Sequence, residues 1–218
     1  MTYSRRIIAI AIAALVAGTF AQTPGHAQRG AQATSEAARL FETLELQPGM
    51  TVGEIGAGGG RMTVEIAKRV GPAGHVYSTE LDQARLRDIR DAVSREQLAN
   101  VTVVEAGERS TNLPDACCDA IFMRDVYHHF THPTEIARSV WAALKPGGRL
   151  AVIDFPPRRA SPLPDGVPSN RAGHGISSDV IVEEVTATGL SLAHTIPEWP
   201  EPSQRNPMFL VLFRKAAP

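Results

Sequence analysis

Between Met50 and Val70 the chain passes from a short apolar run, Met50 to Ile55, into Gly56-Ala57-Gly58-Gly59-Gly60. Met62, Ile66 and Val70 then recur at four-residue spacing. The apolar run has the length of a buried strand, the spacing is that of a helix stopped by Gly71-Pro72, and the glycines turn one into the other. A strand fed through a tight turn into a helix starts a crossover, which is how a chain returns to add a parallel strand. This one segment therefore predicts an α/β fold.

The alternation continues along the sequence. His75 to Thr79 reads as a strand, Leu81 to Arg95 as an amphipathic helix, and Val101 to Val104 and Ala120 to Met123 as two more strands. Pro133 opens a helix whose inward face is Ile136, Val140 and Leu144, and Lys145-Pro146-Gly147-Gly148 is expected to turn into a strand at Leu150 to Ile153. Ser177-Ser178-Asp179 caps a last helix through Ile181 and Val185, and Met208 to Phe213 is a closing strand. Ahead of all these, Thr34 is expected to cap a helix carrying Ala37, Leu40, Phe41 and Leu44, stopped by Pro48-Gly49. Residues 155–175 hold too many prolines and glycines for a regular element and read as one long loop.

Residues 1–27 have the marks of an export signal: basic Arg5 and Arg6, an apolar run from Ile7 to Val16, and small residues up to Ala21 and Ala27, with cleavage expected after Ala27. Ser4-Arg5-Arg6-Ile7-Ile8 also has the look of a twin-arginine signal. The run is shorter than the roughly 20 residues a membrane-spanning helix needs. Residues 28–35 read as a linker and 36–218 as the functional domain, expected in the periplasm, with a retained inner-membrane anchor as the alternative. The formal net charge of -1 leaves no basic excess for nucleic-acid binding. The two cysteines, Cys117 and Cys118, are adjacent; they offer neither a disulfide framework nor a zinc-site spacing and are expected as small core residues.

Glycines at the strand end allow backbone amides to approach a ligand, although the same residues also serve ordinary turns. Glu80, at the end of the second strand, is where an acid accepts both hydroxyls of a ribose. The ligand is then either a nicotinamide cofactor or another adenosine compound. Glu54, inside the first strand, favours a cationic ligand over a pyrophosphate, which points to a sulfonium. No Lys-Ser or Lys-Thr follows the glycines, so a P-loop is excluded.

Val52 to Gly60 resembles motif I of the class I S-adenosylmethionine-dependent methyltransferases. Leu144-Lys145-Pro146-Gly147-Gly148-Arg149-Leu150 resembles their motif before strand five, and Asp119 to Phe130 the strand-four region of small-molecule and quinone methyltransferases. The resemblance runs from about residue 36 to 215. It implies a three-layer, Rossmann-like, seven-stranded, mostly parallel sheet that binds S-adenosyl-L-methionine and transfers its methyl group to a small-molecule acceptor. By position it places Gly56, Ala57, Gly58 and Gly60 along the methionine moiety and ribose, Glu54 near the ammonium, Glu80 and Leu81 at the ribose, and Glu108 at the adenine. Asp125 falls at the methyl end. A nicotinamide-dependent oxidoreductase and a non-catalytic adenosine-ligand module remain as alternatives.

Asp125, Tyr127, His128 and His129 all follow strand four, at the mouth where open α/β sheets bind ligands. An acceptor hydroxyl or amine must lose a proton, and His128 or His129 titrates in the right range to take it. His128, His129 and His132 precede Pro133 on a loop and lack a helical metal-binding spacing, so no metal is expected. Arg158, Arg159, Arg171 and His174 lie in the loop after strand five, where arginines can recognise a carboxylate or phosphate, or simply face solvent. Trp199 is expected either to wall the acceptor site or to cap the core.

Overall fold

In a computed structural model of the chain, residues 35–203, 205 and 207–217 are described. The segment expected as an export signal and most of the expected linker, Thr34 included, lie outside them. The first helix, α1 (Glu36–Thr43), is capped by Ser35, whose Oγ accepts from the backbone N–H of Ala38.

The chain then alternates as the sequence predicts: β1 (Thr51–Ile55), α2 (Arg61–Val70), β2 (His75–Glu80), α3 (Gln83–Arg95), β3 (Val101–Glu105), β4 (Cys118–Arg124), α4 (Pro133–Ala143), β5 (Leu144–Asp154), α5 (Ser178–Thr186), β6 (Ser191–Trp199) and β7 (Met208–Arg214). The seven strands form one sheet in the order β3-β2-β1-β4-β5-β7-β6. Only the β5–β7 and β6–β7 pairs are antiparallel. The order reverses between β1 and β4, so the connections leaving those two strands run to opposite faces of the sheet and leave a crevice.

Strand alternation sorts the core into two layers. Val52, Phe122, Ile153 and Leu210 face α1 and α2 on one side, while Ile121, Met123, Val152 and Val211 face α4 and α5 on the other. Among the described residues no helix is long and apolar enough to cross a membrane.

Three sequence expectations change. Lys145 to Gly148 is not a turn before a strand but the irregular start of β5, with a register shift opposite Cys118 and Ala120 and a positive φ at Gly147. β6, unread in the sequence, is an edge strand with eight of its nine residues at least partly exposed and Pro197 inside it, so it lacks a buried stripe. Cys117 and Cys118 are joined to each other as a disulfide rather than standing as two core thiols, because adjacency at the irregular start of β4 brings their sulfurs together.

Candidate active site

A cleft of 510 Å³ opens at the ends of β1, β2 and β4. Gly56 and Gly58 form one side of it. Gly56 has φ +70, and a Cβ there would stand 2.6 Å from Cγ2 of Val126, so both backbone conformation and space require glycine. Glu80 is aimed into the turn: one oxygen accepts from the N–H of Gly58 at 2.9 Å, the other from Leu81 at 2.8 Å and Asp82 at 3.3 Å. Three backbone donors fix the carboxylate in one rotamer, and its remaining lone pairs face the cleft. Leu81, 52% exposed, gives that cleft an apolar wall, and Glu108 lines its far end with Ala106 and Gly107. An acid for a diol, an apolar face for a flat base and a glycine turn for a chain of polar atoms suit a nucleoside with an amino-acid tail.

Two expected cofactor contacts, Gly60 and Ala57, do not line the cleft. Gly60 faces helix packing, since a Cβ there would lie 3.2 Å from Cα of Ile89; Ala57 directs its N–H to the carbonyl of Thr79. Glu54 is the clearest correction. It alternates onto the α2 side of the sheet, where its carboxylate is 4% exposed and accepts from Thr63 Oγ1, which in turn contacts Ser78 Oγ at 2.9 Å. It is a buried core acid, not a partner for an ammonium.

Burial raises the Glu54 pKa from its ordinary 4.5 to about 8, with the Thr63 hydrogen bond opposing the shift. The folded chain thus holds its proton where the unfolded chain has lost it, and stability falls as pH rises from about 4.5 to about 8. Glu54→Gln should remove that slope. Relative to the parent it should gain on the order of 2–3 kcal/mol between pH 5 and 7 in urea unfolding, with unchanged S-adenosylhomocysteine affinity. A mutant that unfolds with the parent's pH slope would refute the assignment.

The four candidates after β4 part company in space. Asp125, at φ 60 with its N–H bound to the carbonyl of Ile153, stands at the cleft mouth. Tyr127 does not: it is 1% exposed in the core and its hydroxyl donates to Glu184 Oε2 at 3.1 Å, and burial raises its pKa above the ordinary phenol value. A short 3-10 turn, Tyr127–His129, sends the two histidines to different places. His128 is buried, with Nδ1 2.8 Å from Asp154 Oδ1 and its backbone N–H bonded to Asp154 Oδ2. His129 is exposed, and partial desolvation, followed by neighbouring His128 and His174, lowers its pKa from the ordinary imidazole value.

Asp125 and His129 also line a second cavity of 480 Å³, together with Arg124, Phe155, Arg158, His174 and Trp199. Trp199 meets both expectations: it is 1% exposed in the core, its Nε1 donates to Glu36 Oε1 at 3.1 Å, and one edge borders this cavity. Arg158 stacks over Phe155 at 4.4 Å. Arg171 is elsewhere, fully buried and paired with Glu184, and cannot greet a ligand. Sequence reasoning missed Arg85, Val126, Phe130, Thr131 and Ile136 in the first cleft and Asp154 behind His128. Arg85 had a signal, its place in the first turn of the helix that follows Glu80.

Residues 53–152 match the family model described as a methyltransferase domain. A ubiquinone/menaquinone biosynthesis C-methyltransferase of Ectopseudomonas mendocina (strain ymp) is 34% identical over 117 residues, covering 52% of this chain and 46% of that protein. The chain thus spans about half the length of the curated relatives it matches. Among solved structures, a SAM-dependent methyltransferase from Aquifex aeolicus superposes with TM-score 0.67 at 24% identity, covering 83% of this chain and 90% of that one. Haemonchus contortus phosphoethanolamine N-methyltransferase 2, solved with S-adenosyl-L-methionine, gives 0.65 at 15% identity, covering 83% and 52%. Over residues 53–152 the chain is thus similar to the methyltransferase-domain family, and its fold is that of the solved SAM-dependent methyltransferases.

Proposed function

We propose that this chain transfers the methyl group of S-adenosylmethionine to a small molecule held in the 480 Å³ cavity. One observation carries the reading: Asp125 and His129 border both the cofactor cleft and that cavity, so donor and acceptor meet where these two side chains stand. S-adenosylmethionine brings its own activated methyl group, and the protein's part is to align an in-line displacement and receive a proton. Asp125 and His129 are the titratable groups placed to receive it. Phe155 and Trp199 suit a flat ring, Arg124 and Arg158 an anionic or electron-rich one, and the relatives' quinone-pathway names agree in kind.

The test is formation of S-adenosylhomocysteine from S-adenosylmethionine across a panel of phenols, hydroquinones and aromatic carboxylates. Turnover above the acceptor-free rate is the expected result, and none with any ring acceptor would remove the acceptor assignment. His129→Ala should cut turnover by about 10²-fold or more while leaving S-adenosylhomocysteine affinity within about 3-fold. Unaltered turnover would make His129 a bystander.

We further propose that the protein is exported. The basic start and apolar run of residues 5–16 support it. Fusion of residues 1–40 to alkaline phosphatase should give an active reporter; an inactive one would place the enzyme in the cytoplasm.

A further inference from the structure

Three imidazoles meet in the acceptor cavity, and of these the proposed reaction uses His129 alone. His128, His129 and His174 cluster at tilted and edge-on angles with ring centroids 4.0, 4.9 and 5.5 Å apart, and each offers a ring nitrogen within 4.8 Å of the others. His132, the third histidine of the sequence cluster, is not among them; its Nδ1 contacts Thr131 Oγ1 at 2.9 Å. His174 comes instead from the far end of the long loop, a proximity that local spacing does not reveal.

Its position is built. The His174 carbonyl accepts from Arg158 at 2.8 Å, and its N–H donates to Ser161 at 3.2 Å. The flanking glycines lie directly against the start of the loop: a Cβ at Gly173 would stand 2.7 Å from the Arg158 carbonyl oxygen, and one at Gly175 2.8 Å from that of Pro156. Side chains at either place would push His174 out of the cavity.

His128 is oriented from behind. Asp154, wholly buried, accepts from the backbone N–H groups of His128 and Phe155 and faces Nδ1 of His128 at 2.8 Å. A carboxylate at Nδ1 fixes the proton there and turns the lone pair of Nε2 outward. That Nε2 is buried, with no hydrogen-bond partner among the described residues. A buried acceptor left unsatisfied destabilises the fold, so a fold that positions it this firmly has a use for it.

We propose that His128, His129 and His174 bind a divalent transition-metal cation of the zinc class, with Asp154 as the carboxylate that orients His128. Imidazole nitrogens suit such cations, and three protein ligands leave a fourth position, here facing the acceptor cavity. Two Zn–N bonds of about 2.0–2.1 Å at a tetrahedral angle put their nitrogens about 3.3 Å apart. The half-exposed His174 and the exposed His129 have the freedom to close that gap. Asp125 and Glu201 place further negative charge at the cavity, opposing Arg158; Arg124 is already paired with Glu36. The site's occupancy stands apart from turnover, while its role rests on the proposed reaction. An acceptor hydroxyl on the cation gives its proton to Asp125, its oxygen forms the bond to the methyl carbon, and the carbon–sulfur bond breaks to leave S-adenosylhomocysteine.

The test uses the full chain without an affinity tag, titrated with cobalt(II). One equivalent should produce the visible bands of tetrahedral cobalt, and zinc should abolish them. His174→Ala should weaken cobalt binding by more than about 100-fold, and Asp154→Asn by about 10- to 100-fold, with S-adenosylhomocysteine binding retained in both as the sign of a folded protein. If His174→Ala fails to bind S-adenosylhomocysteine, His129→Gln reads the same loss on an exposed side chain. No tetrahedral band in the parent protein, or one of undiminished affinity in the folded histidine variant, overturns the site. Failure of S-adenosylhomocysteine binding in the parent protein would instead count against the methyltransferase reading.

Discussion

Glu80→Ala is expected to weaken S-adenosylhomocysteine binding by about 10- to 100-fold, equivalent to about 1–3 kcal/mol, the range for a charge-assisted hydrogen bond. Two effects add. The carboxylate that would accept the ribose hydroxyls is gone, and so is the anchor on the N–H of Gly58 that holds the glycine turn against β2. Glu80→Gln separates them, since the amide oxygen can still accept from Gly58 but the charge is lost; its affinity should fall between the two. Calorimetric titration reads all three proteins. Parent-like affinity in Glu80→Ala would mean that the ribose lies elsewhere.

Arg171→Met should be the most destabilising single change, by about 3–5 kcal/mol. Its guanidinium is 1% exposed and meets Glu184 with both nitrogens, Nη1 to Oε1 at 2.7 Å and Nη2 to Oε2 at 3.0 Å, while Glu184 also accepts from Tyr127. Removing the cation leaves a largely buried carboxylate with only the Tyr127 phenol and a long bond from the Asn170 amide. At about 2–4 °C per kcal/mol for a chain of this size, the thermal midpoint should drop by about 6–20 °C. Arg171→Met with Glu184→Leu removes both charges and should recover most of the loss. An Arg171→Met protein of parental stability that binds acceptor poorly would restore the ligand-binding role expected from its loop.

Much of this architecture was legible because period and punctuation agree. Ile136 and Val140 on α4, Ile181 and Val185 on α5, and the glycine turn after β1 all stand where spacing put them. β6 was not legible: an exposed edge strand needs no apolar alternation, and Pro197 argued against one. For Glu54 the information was present but outweighed. It shares strand parity with Val52, whose side chain could only face a helix, so the carboxylate had to follow it into the core. The attraction between an acid and a cationic cofactor concealed that simpler rule.

The site divides in the same way. Gly56, Gly58, Glu80, Leu81, Glu108 and Asp125 follow strand ends, and strand ends were predictable; all six line the cleft. Tyr127, His128 and His129 are consecutive, and only the turn of a 3-10 helix decides that the first enters the core, the second meets Asp154 and the third reaches the cavity. His174 depends on a loop folding back between glycines, a long-range event with no local periodicity to announce it.

The central claim is that the first cleft holds S-adenosylmethionine and not a nicotinamide cofactor. Calorimetric titration of the full chain with S-adenosylhomocysteine, and separately with NADH, tests it most directly. We expect micromolar binding of S-adenosylhomocysteine at one site and none of NADH. Binding of NADH alone would contradict the account and make the cleft that of an oxidoreductase.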